Sequence, residues 1–149
     1  MQKLMTYTVG LKRAGSIMVA EKTCTEPKPV VEIVRAMIGP MPDREHFVMI
    51  ALDARSNVVA VNTVSIGTLS ASLVHPREVF KPAILANAAA AVIVAHNHPS
   101  GNTTASAEDK DATRRLARSG ELLGIPLLDH VILGHGKDYF SFKESGLLS

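Results

Sequence analysis

Hydrophobic and polar residues recur along this chain with two different periods, which predict two kinds of element. Near-continuous apolar runs at residues 47–52 and 91–95 are typical of strands covered on both faces. Residues 58–66 are rich in β-branched side chains and predict the return strand of a hairpin. Across the whole chain, strands are predicted at residues 4–11, 16–21, 47–52, 58–66, 91–95, 127–133 and 139–142.

Apolar residues at helical spacing predict helices after residue 27, at residues 76–90 and at residues 106–124. Pro27 suits a first helical turn, because the N–H group that proline lacks would be unpaired there. Gly39 and Gly124 are expected to end the first and the last of these helices. The alternation of strands and helices predicts an α/β or α+β layered domain.

Composition narrows the class of protein. The 149 residues are 46% hydrophobic and 20% charged, as in an ordinary globular domain, and this excludes a disordered, collagen-like or coiled-coil chain. We predict an N-terminal arm at residues 1–26 and a main domain at residues 27–149. Cys24 is the only cysteine, which fits a reducing compartment. The longest apolar run is shorter than the roughly 20 residues that span a bilayer, so we expect a soluble cytoplasmic protein without a membrane partner.

Candidate chemistry is concentrated at the end of one predicted strand. His96 and His98 are two residues apart, so on a strand both imidazoles point to the same side while Asn97 faces away. Asp109 begins the next predicted helix, and the intervening loop is long enough to return its carboxylate to the histidines. Two imidazoles and a carboxylate suit one zinc ion per chain and leave a fourth position for water, which zinc activates as a nucleophile.

A simpler interpretation of the same residues is helix capping. Ser106 and Asp109 match a capping pattern, with serine as the cap and an acidic residue in the first turn. Capping and metal binding are compatible. The adjacent letters His-Asn-His do not indicate an HNH nuclease, because that motif is dispersed through a ββα-metal element.

The spacing of His96, His98, Ser106 and Asp109 resembles the JAMM motif of JAB/MPN+ metalloproteins. The longer text His-Asn-His-Pro-Ser-Gly is similar to the RadC branch of that superfamily, as are residues 67–80 and the text Leu-Leu-Gly-Ile-Pro-Leu-Leu-Asp-His at residues 122–130. The resemblance covers about residue 27 to the C-terminus. Larger RadC proteins carry a helix-hairpin-helix region, for which the first 26 residues are too short.

This resemblance implies a zinc hydrolase site in a cytidine-deaminase-like α/β sandwich, with a mixed sheet flanked by helices. His96, His98 and Asp109 would hold zinc, and Ser106 would hydrogen-bond the reacting oxygen or water. Glu45, immediately before an early strand, matches the position of the general base, which would also donate a proton to the leaving amine. Two other glutamates are alternative candidates for the general base: Glu78 and Glu108, each in the first turn of a predicted helix.

The leading hypothesis is therefore a zinc-dependent metallopeptidase or isopeptidase acting on an unknown protein or peptide. A second is a DNA repair or recombination accessory factor of the RadC type, and a third is a non-catalytic MPN scaffold; self-association as a homodimer stays open. The residues that could contact nucleic acid lie on one predicted helix: Lys110, Arg114, Arg115 and Arg118. Acidic residues are interspersed among them, which favours an ordinary solvent-exposed helix face over a nucleic-acid-binding surface. For Asp129 and His130 we favour a structural strand pair over support of a metal ligand.

Overall fold

A mixed five-stranded sheet forms the centre of the domain in the computed structural model, which describes residues 1–40, 42–67, 74–87 and 89–149. Its strand order is β2-β1-β3-β4-β5, with β3 and β4 parallel and the other neighbours antiparallel. The strands are β1 (His46–Leu52), β2 (Val58–Ile66), β3 (Ala91–Asn97), β4 (Leu127–Leu133) and β5 (Tyr139–Ser141). The helices in the described residues are α1 (Pro27–Ile38), α2 (Pro76–Leu85) and α3 (Ala107–Leu123).

Helices cover both faces of this sheet, which explains the unbroken apolar runs of its inner strands. Val34 of α1 packs with Ile50 and Ala95 on one face. Leu116 of α3 packs with Val94 and with residues of α2 on the other face. Because alternate residues of a strand point to opposite faces, β3 directs His96 toward the α2–α3 layer and Asn97 toward the α1 layer. The predicted layered architecture is confirmed, and the arrangement is consistent with a JAB/MPN fold.

The predicted strands at residues 4–11 and 16–21 are wrong. Residues 1–19 have no regular secondary structure, and the apolar side chains of Leu4, Tyr7 and Met18 are exposed. An alternating pattern makes a strand only where another strand offers its backbone as a partner. The chain finds such a partner later, where Cys24 N donates to Ser56 O (2.9 Å) beside the β1–β2 turn.

Two other boundaries differ from the prediction. Helix α2 ends at Leu85 instead of residue 90. Asn87 has a positive φ of 61°, a backbone conformation that is incompatible with a right-handed helix. Strand β3 extends two residues beyond the predicted Ala95, because His96 and Asn97 pair with Ile132 and Leu133 of β4. Residues 68–73, which carry part of the RadC-like text, lie outside the described residues. In the described part of the chain, none of the helices has the length and apolar character needed to cross a bilayer.

Candidate metal centre

His96 and His98 lie at the carboxyl end of β3. His96 is fully buried, and its ring stacks on Phe47 of β1 with centroids 5.8 Å apart. His98 comes one residue after the strand, and its N–H donates to Leu133 O (2.9 Å), so the backbone stays aligned with β4. Both rings therefore point toward the α2–α3 side of the sheet edge, as the two-residue spacing predicts.

Asp109 reaches the histidines from the first turn of α3. Ser106 caps this helix: its Oγ accepts from Asp109 N (3.0 Å), and Asp109 Oδ2 accepts from Ser106 N (2.9 Å). The predicted capping pattern is thus present as a complete capping box. Capping does not withdraw Asp109 from the histidines. Instead, it holds the carboxylate in one orientation in front of them.

The three side chains form a compact triangle of donor atoms. His96 Nε2 and His98 Nε2 lie 3.0 Å apart, and Asp109 oxygens lie 3.2 Å from His96 Nε2 and 3.3 Å from His98 Nε2. Tetrahedral zinc with bonds of about 2.0–2.1 Å separates its ligands by about 3.3–3.4 Å. The separations are close to that value, with Asp109 Oδ1 next to His96 and Oδ2 next to His98, and one ligand atom from each residue lies within 4.8 Å of the other two, so the three side chains can hold a metal ion.

The loop after β3 determines which nitrogen of His98 carries its proton. His98 Nδ1 lies 2.6 Å from Asn102 O, and a carbonyl only accepts, so Nδ1 is the donor and Nε2 keeps its lone pair. The loop is held by His135, which donates from Nε2 to Pro99 O (3.0 Å). Gly101 has a φ of +85°, and a Cβ there would lie 2.6 Å from His135 Nδ1, so only glycine fits.

The charges at this site support one another. Burial by itself would raise the pKa of Asp109, but hydrogen bonds and charge from His96 and His98 outweigh it and lower the pKa well below its usual value. Only protonated His98 can donate from Nε2 to Asp109 as well as from Nδ1 to Asn102 O, and this additional hydrogen bond raises the pKa of His98 against the effect of burial, with a contribution from the charge of Glu45. A carboxylate held ionised between imidazoles is the state in which these groups bind a cation.

Glu45 lies immediately before β1, and its backbone is held from several directions. Asn97 Oδ1 accepts from His46 N (2.7 Å), and Asn97 Nδ2 donates to Arg44 O (3.0 Å). Glu45 O accepts from Gly67 N (2.8 Å). The Glu45 side chain is half-buried, and its charge contributes to the raised pKa of His98, while its role as a base stays a prediction.

The two rival glutamates are elsewhere on the surface. Glu78 is a half-buried residue of α2, where its carboxylate pairs with Lys81 Nζ at 3.1 Å. Glu108 is exposed in the first turn of α3. The basic residues of α3 are also exposed, and Arg114 pairs with Asp111 on the same helix. Contact of this face with nucleic acid stays a prediction.

Asp129 and His130 are hydrogen-bonded to each other, as expected for a structural pair, because Asp129 Oδ1 accepts from His130 N (2.7 Å), but their side chains have different further partners. Asp129 ties β4 to the C-terminal segment, since its carboxylate accepts from Ser141 Oγ (2.6 Å) and Lys143 N (3.0 Å). His130, fully buried, contacts the candidate ligand His96 with Nε2 at 2.8 Å from His96 Nδ1. Burial lowers the pKa of His130 well below its usual value, and the charge of His96 adds to this.

Sequence reasoning missed the supporting roles of three residues. Asn102 and Thr113 support the candidate ligands, and Asn97 holds the backbone on both sides of Glu45. Asn102 acts through a backbone carbonyl, which leaves no sequence signal. Thr113 lies four residues after Asp109, one helical turn along α3, so this spacing was a usable signal. Asn97 lies between the two histidines, and a polar amide at the end of a strand that begins with five apolar residues was a second usable signal.

Comparisons with known proteins show which family this chain resembles. The model of a family described as RadC-like JAB domain matches residues 24–147. A UPF0758 protein of Rubrobacter xylanophilus is 52% identical over 124 residues, covering 83% of this chain and 53% of that protein. A UPF0758 protein of Symbiobacterium thermophilum is 45% identical over 150 residues, covering 99% of this chain and 63% of that relative.

A third relative, the UPF0758 protein of Geobacillus thermodenitrificans, is 55% identical over 103 residues, covering 69% of this chain and 45% of that protein. The chain spans about half the length of the curated relatives it matches. The family match includes the strand end, the loop and the helix that together form the triangle of donor atoms. The chain belongs to the RadC-like JAB domain family.

Proposed function

We propose that this domain is a zinc-dependent hydrolase that cleaves an amide or isopeptide bond of a protein or peptide. The observation that carries the proposal is the convergence of His96, His98 and Asp109, whose closest ligand atoms are 3.0–3.3 Å apart. These residues would hold one zinc ion through two imidazoles and one carboxylate. The ion, when bound, supplies Lewis-acid activation of water and of the substrate carbonyl.

Glu45 is the general base in this proposal. Its side chain is near enough to His98 to affect the pKa of that residue, but it is outside the group of metal-ligating side chains. A carboxylate in this position accepts the proton that the attacking water loses and donates it to the leaving amine as the C–N bond breaks. Hydrogen bonds from Asn97 to the residues on either side of Glu45, and from Gly67 N to Glu45 O, hold the backbone at Glu45 in place.

Ser106 supplies a hydrogen-bond donor to the reacting oxygen. Its Oγ accepts from Asp109 N, and this bond leaves the hydroxyl proton available to donate. Ser106 is exposed at the N-terminus of α3, where the helix dipole also favours developing negative charge. Capping and donation therefore use different parts of one hydroxyl group.

A cleft beside His98 offers a place for the substrate chain. It has a volume of about 200 Å³ and is lined by Pro42, Asp43, His98, Pro99 and His135, among others. A space of this size takes one side chain or a short stretch of backbone, not a folded ligand.

Metal content tests the centre itself. We expect about one zinc per chain in untagged protein and its loss in His98→Ala and Asp109→Ala, measured by elemental mass spectrometry beside a folding check. His75→Ala is the matched control, because His75 caps α2 by accepting from Arg77 N (3.1 Å). A folded parent that takes up no zinc when it is supplied would overturn the proposal.

Turnover tests the role of Glu45. We expect Glu45→Gln to keep its zinc and to lose hydrolysis of a peptide and isopeptide pool by at least about 100-fold, since general-base catalysis contributes roughly 10²–10⁴. Glu78→Gln, which changes a glutamate of α2 paired with Lys81, should retain activity. Full activity in Glu45→Gln would remove this residue from the mechanism.

A further inference from the structure

A buried chain of hydrogen bonds connects α3 to the candidate ligand His96. Thr113 Oγ1 lies 2.7 Å from Asp109 O and 2.6 Å from His130 Nδ1. His130 Nε2 then lies 2.8 Å from His96 Nδ1. This series of hydrogen bonds therefore connects two candidate ligands, Asp109 and His96, through two residues that are not candidate ligands themselves, Thr113 and His130.

The acceptors in this chain determine where each proton lies. Asp109 O is a carbonyl and only accepts, so the single proton of the Thr113 hydroxyl points to it. Thr113 Oγ1 must then accept from its other neighbour, which makes His130 Nδ1 a donor. The opposite arrangement would leave two oxygen lone pairs facing each other 2.7 Å apart.

The same logic passes through the His130 ring. With its proton on Nδ1, neutral His130 presents a lone pair at Nε2 and accepts from His96 Nδ1. His96 then keeps its own lone pair at Nε2, the atom that faces His98 and Asp109. A doubly protonated His130 would place a second charge in an interior that excludes water, which is unfavourable.

Aromatic packing fixes the orientation of the His130 ring. The ring stacks on Phe142, with centroids 4.8 Å apart and planes inclined by 8°, and its edge meets Phe47. Thr113, His130 and His96 are each at most 2% exposed. Water therefore has no access to replace a missing partner, and the proton order depends on the side chains alone.

We propose that Thr113 and His130 are positioning residues that hold His96 as the Nδ1–H tautomer, so that Nε2 is free to bind the metal. The inference rests on the proposed zinc centre for its functional meaning. It assigns to α3 a second task besides presenting Asp109. His98 reaches the same tautomer by a different route, through Asn102 O.

The tautomer can be measured directly on the full chain without metal. Long-range ¹H–¹⁵N correlation spectra distinguish protonated from unprotonated ring nitrogens, and we expect His130 to carry one proton, on Nδ1. A proton on Nε2, or on both nitrogens, would overturn the inference. Because this readout does not involve zinc, it decides the proton order even if the proposed metal centre fails.

Zinc affinity then tests the consequence. We expect Thr113→Val, which keeps the shape and removes the hydroxyl, to weaken zinc binding by about 10–100-fold in a chelator competition, and Thr113→Ser to restore it. Ser119→Ala removes a comparable bond within α3, Ser119 Oγ to Arg115 O at 2.9 Å, and should leave the affinity unchanged. Unaltered affinity in Thr113→Val would overturn the inference, whereas a parent that binds no zinc would contradict the proposed function instead.

Discussion

Asn97 shows at the scale of one residue how a side chain directed away from the candidate ligands can still serve the site. It lies between His96 and His98 but points to the opposite face of the sheet, where it bonds both neighbours of Glu45. The strand that presents the imidazoles therefore also positions the proposed base. An apolar residue at this position would remove the partners of a partly buried N–H group and a partly buried carbonyl, which is unfavourable.

We predict that Asn97→Ala lowers kcat by about 10–100-fold while zinc stays bound, because a displaced base loses alignment with the reacting atoms. Elemental analysis and steady-state kinetics on the same preparation measure the two effects. Asn57→Ala removes an asparagine that accepts from Thr23 Oγ1 (2.9 Å) at the β1–β2 turn and controls for lost stability. An equal fall in kcat in both variants would refute a specific effect on Glu45.

At the scale of the element, α3 combines the cap, a candidate ligand and the support for another ligand. Ser106 caps the helix, Asp109 occupies its third position, and Thr113 follows one turn later. Residues four apart on a helix share a face, so one helix side carries the whole series. Movement of α3 would therefore disturb the metal centre at several atoms at once.

Variants of Ser106 separate capping from chemistry. We expect Ser106→Ala to reduce the free energy of unfolding by about 0.5–2 kcal/mol and Ser106→Gly by only a few tenths, because glycine is tolerated as a cap. Both should lose activity by a similar factor, since neither has a hydroxyl to donate. Chemical denaturation and kinetics test this pair, and activity that follows stability would show that Ser106 acts as a cap alone.

At the scale of the whole molecule, stability comes from two cores, one on each face of the sheet. Ile50 belongs to the core under α1, and Phe47 of the same strand belongs to the core under α2 and α3. The candidate metal centre lies where the second core meets the end of β3, so aromatic packing fixes its buried rings. Residues 1–16 are exposed and belong to neither core, whereas Ile17 and Val19 pack against the core under α1 and Cys24 belongs to it.

This division predicts very different responses to substitution. Ile50→Ala should lower the free energy of unfolding by about 2–5 kcal/mol, as removal of a buried branched side chain does. Tyr7→Ser should change it by less than about 0.5 kcal/mol, because Tyr7 is 85% exposed. Urea unfolding followed by circular dichroism compares them, and a large effect of Tyr7→Ser would indicate that residues 1–16 also pack on the domain.

The sequence by itself determined the features that depend on neighbouring residues. The strands from β1 to β5 and the helices were predictable from local periodicity and from capping residues such as Ser106 and Gly124, within a few residues at each end. The candidate ligands His96, His98 and Asp109 were predictable as well, since they occupy a strand end and the helix that follows it. Local spacing is sufficient wherever the relevant contacts are short in sequence.

Only the tertiary structure decided the contacts between distant segments. His130 is 34 residues from His96 and meets it because β4 runs parallel beside β3, while Arg44 and Asn97 meet across 53 residues through β1. The same dependence explains the failure at residues 4–11, where an alternating pattern has no strand beside it. Strand order decides which side chains become neighbours, and a pattern along one chain does not contain that order.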